Sequence, residues 1–221
     1  MQQSTEDWFG EAFKFTREAF YKDSPYRRMP GGDFAVMSKI TAADVRTHYE
    51  HYFRNPRHTV IAISGDIDPA TAARWAQPFA EMPDARPTLA TESIAAPPHR
   101  VNKATEKQSA TVMLAYPGIA VDDPDRDALT LLQTYLGGYS ASFGAILFDT
   151  LRGKGLVYVV QASSIPGKDK GMFLIAALGE PQNADKIVAT IQQLVADTRA
   201  GKFTDKALDV ARDQAITGQR L

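Results

Sequence analysis

The order of apolar periodicities predicts an α+β chain, with mixed, largely antiparallel sheet flanked by helices and the helices gathered on one face. Two observations carry this. In the C-terminal half the runs come in pairs, strand, strand, helix, helix and then the same again, where a parallel wound sheet would alternate them singly. The two later strand runs are also joined by the turn-rich "IPGKDKG", which makes them a hairpin.

Taken in order, Trp8, Phe9, Ala12, Phe13, Ala19 and Phe20 recur at three- and four-residue steps and predict a first helix from about Glu6 to Tyr21. "DSPYRRMPGG" ends it as a loop, because its prolines and adjacent glycines break any period. A second helix starts near Thr41, with Val45, Tyr49 and Tyr52 turned to the core. Thr59 to Ser64 is a short apolar, β-branched run and reads as a strand buried on both faces. Asp68 followed by Pro69 is a helix start, a cap and then a proline at the first helical position, and the helix runs to about Ala80.

The four prolines of "MPDARPTLATESIAAPP" mark residues 82–98 as a linker. The expected units are therefore 1–82, a linker with the first strand over 83–107, and 108–221. Beyond the linker, His99 to Ala104 and Ser109 to Tyr116 read as a strand pair. A helix opens at Asp123 and Pro124 and buries Ala128, Leu131, Leu132, Tyr135 and Leu136, and another covers roughly Ser140 to Leu151. The hairpin strands are Leu156 to Ala162 and Met172 to Ala177, and helices over Ala184 to Ala200 and from Thr204 onward close the chain.

Composition removes several function classes. Twenty-five basic against 26 acidic residues give a net charge of -1, so no global field draws the chain to nucleic acid or to an anionic membrane. The absence of cysteine excludes disulfides, thiolate zinc sites and a cysteine nucleophile. "MQQSTEDWFG" has no signal-peptide character, and no apolar run approaches the ~18 residues that span a bilayer. The expectation is a soluble chain without membrane insertion, for which a periplasmic or secreted setting and a cytoplasmic one fit equally.

Three stretches invite chemistry. At "THYEHYF" and the turn before it, Asp44, His48 and His51 share one helix flank at i, i+4 and i+7, which suits a metal. Thr41 and Asp44 also have capping-box spacing, which engages the carboxylate with the helix's own amides, and H-x-x-H lacks the spacing of a zincin or inverzincin motif. A small metalloenzyme on these three residues is kept as an alternative. "LGGYSASFG" lacks the lysine of a phosphate loop and reads as a helix-to-helix turn. In "LFDTLRGKGLVYVV", Arg152 ends a helix, "GKG" turns the chain, and Tyr158 sits in an apolar strand.

Together these stretches resemble the insulinase/pitrilysin family of zinc peptidases, in the region downstream of its H-x-x-E-H motif. "SPYRRMPGG" is similar to the family's "HPYxxPxxG" loop, and the segment from Ile40 to Asp68 to its "it..dl..fy..yy.p.n..l.i.Gd.d" stretch. "YPGIAVDDPDRDALTLLQTYLGG" is similar to its "ypgp...dpd..al.vl..iLGG", and "LFDTLRGKGLVY" to its "lf.eLReklGLaY". The spacing from Arg152 to Tyr158 is six steps where the family has seven, and "SASFGAIL" lacks the arginine of the family's "sSrL".

The resemblance implies an inactive, substrate-holding unit preceded by the tail of a catalytic-type unit. Arg152 and Tyr158 would contact the peptide substrate, and no residue of this chain would be catalytic or bind metal. Zinc would come from an upstream segment or partner chain carrying H-x-x-E-H, so the chain alone is not expected to be active. A second implied role is that of a structural or assembly subunit with the same fold and no proteolysis.

Overall fold

A computed structural model describes residues 8–53, 59–81, 99–138 and 145–219. Residues 1–29 and 91–221 gather into one compact unit and residues 30–90 into a second.

In the larger unit, strands β1 (Ala110–Pro117), β2 (Val157–Ile165) and β3 (Met172–Gly179) form an antiparallel sheet in the order β1-β3-β2. The hairpin of β2 and β3 is the one the sequence predicts, extended at both strands. β3 lies between two partners and Met172, Phe173, Leu174, Ile175, Ala176 and Ala177 are all buried, which accounts for its unbroken apolar run. The predicted pairing of His99 to Ala104 with the next strand does not form. Those residues have no strand structure, and β1 pairs with β3 instead, Val112 opposite Ala177.

Helices α5 (Arg126–Gly137), α6 (Ala184–Arg199) and α7 (Asp205–Gln219) supply the main core. Ile187 and Ile191 of α6 are fully buried with Val112 of β1, Val160 of β2 and Ile175 of β3. α5 starts at Arg126, a few residues later than Asp123, so Ala128 stays exposed while Tyr135 and Leu136 are buried as expected. At its end, a Cβ added to Gly137 would lie 2.6 Å from the Ala162 amide nitrogen, so the helix meets β2 at backbone distance. Gly138 follows with φ 71° and ends the helix inside the stretch expected to be a turn; residues 139–144, with most of that stretch, lie outside the described residues.

Helix α1 (Trp8–Phe20) belongs to this unit too, and it covers the sheet's other face. Side chains alternate along a strand, so with Val112 and Leu114 in the main core, Met113 points the opposite way. There its sulfur receives the Thr16 hydroxyl of α1 at 3.2 Å. Helices thus flank both faces, where the sequence pattern alone suggested one. Lys103 and Lys107 bind the Glu11 carboxylate at 2.9 Å each, and Arg17 is buried against the rings of Phe13 and Tyr21 while donating to the Arg28 carbonyl at 3.1 Å.

The smaller unit contains a short helix α2 (Phe34–Met37), α3 (Ala42–His48) continuing as a π-helical turn (Tyr49–Phe53), and α4 (Pro69–Ala80). Both predicted starts are present. Thr41 and Asp44 form the reciprocal capping box, and Asp68 caps α4 by accepting from the Thr71 amide at 2.9 Å. Two other expectations are corrected. Thr59 to Ser64 is not a strand and is not buried, for Val60 is 95% exposed and Ile61 and Ile63 are exposed too. Val45, Tyr49 and Tyr52 are likewise exposed. The reason is common to both, since none of this unit's described residues is buried and there is no core for them to face.

Candidate functional site

The helix carrying Arg152 ends in a π-helical turn, Phe148–Arg152, and its termination is chemically specified. The Gly155 amide donates to the Arg152 carbonyl at 2.9 Å and the Leu156 amide to the Leu151 carbonyl at 3.0 Å. These two bonds, with Gly155 at φ 66°, are a Schellman cap, which needs a left-handed residue at the reversal. "GKG" therefore turns the chain directly from the helix into β2.

β2 begins irregularly. Val157 is opposite Gly179, but Val159 is opposite Leu178, so two steps along β2 match one along β3 and Tyr158 is the inserted residue of a β-bulge. Burial follows the bulge: Val157 and Val160 are buried, while Tyr158 and Val159 between them are both exposed. A regular strand would have placed Tyr158 and Val160 on the same side.

Arg152 closes the loop. One of its guanidinium nitrogens, Nη1, donates to the Val157 carbonyl at 3.2 Å and to the Tyr158 carbonyl at 2.9 Å. The Tyr158 hydroxyl makes a long hydrogen bond, 3.4 Å, to the Glu180 carboxylate, whose other oxygen accepts from Gln182 Nε2 at 2.6 Å. The two residues singled out from the sequence are thus neighbours at one exposed corner of the sheet. Glu180 and Gln182 were not foreseen; they arrive through the register that sets Gly179 beside Val157.

The histidine stretch behaves differently. Asp44 Oδ2 accepts from the Thr41 amide at 2.9 Å and from its hydroxyl at 2.6 Å, bonds that hold the carboxyl below its ordinary pKa. The His48 ring lies against Tyr52, with centroids 4.6 Å apart. Asp44, Thr47, His48, His51 and Tyr52 line one open hollow. Among the described residues, however, no three histidine, cysteine, aspartate or glutamate side chains gather closely enough to hold a metal ion. This corrects the alternative reading on Asp44, His48 and His51, because the carboxylate is spent on the cap. The family's zinc does not fit the residues described.

The sequence profile of the family described as "Peptidase M16 inactive domain" matches residues 39–215. This chain belongs to that family. It is therefore an insulinase-family chain of the non-catalytic kind. An uncharacterized zinc protease of Streptomyces coelicolor is 27% identical over 180 residues, a match covering 76% of this chain and 38% of the relative. An M16 inactive domain from Pseudomonas fluorescens has the same fold, with TM-score 0.81 and 24% identity over 100% of this chain and 53% of that one. So does a chain of complex III from Candida albicans, with TM-score 0.79 and 13% identity over 99% of this chain and 54% of that one. The M16 chain thus spans about half the length of these structural neighbours and less of the curated relative. Among the described residues, no helix is long and apolar enough to cross a membrane.

Proposed function

We propose that this chain is the non-catalytic, peptide-holding region of an insulinase-like zinc metalloendopeptidase. It completes a peptide chamber whose zinc is carried by an upstream segment or a partner chain bearing H-x-x-E-H. Arg152 and Tyr158 form the substrate-holding corner, with Tyr158 meeting the peptide. The observation that supports this best is the corner at the start of β2, where the exposed Tyr158 side chain stands beside Arg152, whose guanidinium donates to the Tyr158 carbonyl at 2.9 Å. The phenol is a hydrogen-bond donor, suited to a peptide carbonyl or to the oxyanion formed when it is attacked.

The smaller unit supports the need for a partner. Phe34, Val45, Tyr49, Phe53, Val60 and Trp75 are all exposed in it, an apolar surface of the kind that marks a contact with another polypeptide.

The test is reconstitution with an H-x-x-E-H segment and zinc. The chain alone is expected to cleave no peptide, the reconstituted enzyme to cleave, and Tyr158→Phe to lower kcat by about 100-fold or more. Zinc-dependent cleavage by the chain alone, or a reconstituted enzyme indifferent to Tyr158→Phe, overturns the proposal. A second reading is a structural or assembly subunit with the same fold and no proteolysis. That reading requires that H-x-x-E-H be absent both from the parent gene and from its neighbouring reading frames.

A further inference from the structure

We infer that Arg152 is a positioning residue: it clamps the β-bulge that turns Tyr158 outward, and it acts on a bound peptide through that tyrosine. The inference rests on the reading that Tyr158 meets the peptide, and it assigns Arg152's share in that work. The decisive geometry is that a single nitrogen reaches two consecutive carbonyls, those of Val157 and Tyr158. In a regular strand successive carbonyls point to opposite edges, so one donor cannot serve both. At a bulge the inserted residue bends the strand and the ladder is locally disrupted. A donor bridging the two carbonyls is therefore a bond that the bulged form has and the regular form lacks.

What the clamp protects is the direction of the side chains. A one-residue slip of pairing sends every following side chain to the other face. Removing the bulge would put either Tyr158 or Val160 on the wrong side of the sheet, and Val160 is a fully packed core residue. Arg152 is itself held in place, because the Schellman cap fixes the helix end from which it reaches back. The Glu180 carboxylate, engaged by Gln182, meets the phenol from just beyond the end of β3, so the tyrosine is oriented at both its backbone and its hydroxyl.

The experiment uses the full chain labelled with 3-fluorotyrosine, whose Tyr158 fluorine resonance is assigned by its loss in Tyr158→Phe. Binding of fluorescein-labelled casein peptides is followed by polarisation. In Arg152→Met the Tyr158 resonance is expected to shift or broaden while the other tyrosines, which report on the fold, stay in place. Arg152→Lys, which keeps a donor on a flexible stem, restores most of the original shift. Peptide affinity is expected to fall about tenfold in Arg152→Met and to show no further loss when Arg152→Met is added to Tyr158→Phe. An unmoved Tyr158 resonance in Arg152→Met overturns the clamp, and so does an undiminished second loss in the double variant, which would mean that Arg152 holds peptide directly. If the resonance moves as expected while neither substitution alters peptide affinity, the clamp stands and the peptide-holding reading fails.

Discussion

Gly155 donates its amide hydrogen to the carbonyl of Arg152 while standing in the left-handed region at φ 66°. No atom lies within 4 Å of where a Cβ would sit, so a side chain there meets only conformational resistance. Gly155→Ala is expected to lower stability by about 1 kcal/mol, and Gly155→Asn by less, since asparagine tolerates this region better. Urea unfolding of the three proteins measures both.

Gly137 and Gly153 make a contrasting pair. A Cβ at Gly137 would lie 2.6 Å from the Ala162 amide nitrogen and 2.9 Å from its Cβ, whereas at Gly153, a right-handed helical position, it would meet nothing within 4 Å. Gly137→Ala should therefore cost about 1 to 3 kcal/mol as α5 is pushed from β2. Gly153→Ala should stabilise by roughly 0.4 to 1 kcal/mol by restricting the unfolded chain. Thermal melts that rank the two the other way would show that α5 and β2 are not in backbone contact.

Hydrogen bonds from Lys107 and Lys103 hold the Glu11 carboxyl at about 2, against an ordinary value of 4.5. The folded pKa is the lower, so the contribution is present above about 4.5 and disappears as pH falls through about 2. Wild type is expected to exceed Glu11→Gln in urea midpoint near neutrality, with the gap closing across that window. A gap independent of pH would assign the effect to packing.

The exposed apolar surface of the smaller unit predicts dye binding. The full chain should enhance anilinonaphthalene sulfonate fluorescence, and Val60→Ser with Ile61→Ser should reduce the signal while changing stability by no more than about 0.5 kcal/mol. A large loss of stability from the pair would mean that these side chains are packed.

What could be read in advance was local. The Thr41–Asp44 capping box, the Asp68–Pro69 start of α4, the β2–β3 hairpin and the inward stripe of α6 are each written within a few neighbouring residues, and each is present. Thr59 to Ser64 and His99 to Ala104 were misread because an apolar run states a capacity to pair, whereas pairing requires a second strand. Arg152 and Tyr158 stand out in the sequence through family resemblance, but the hydrogen bond between them does not. "LVYVV" shows no alternation from which to place a bulge, and Glu180 reaches the phenol only through cross-strand register.

The separation in sequence between paired strands has a consequence in time. Ile165 and Met172 meet across a short turn, while Pro117 reaches Met172 only after all of α5 and β2 have been traversed. Closing the longer loop carries the larger entropic cost, so the hairpin assembles early and β1 docks onto a preformed edge. Trimming Val160 should then slow folding, and trimming Val112 should chiefly hasten unfolding.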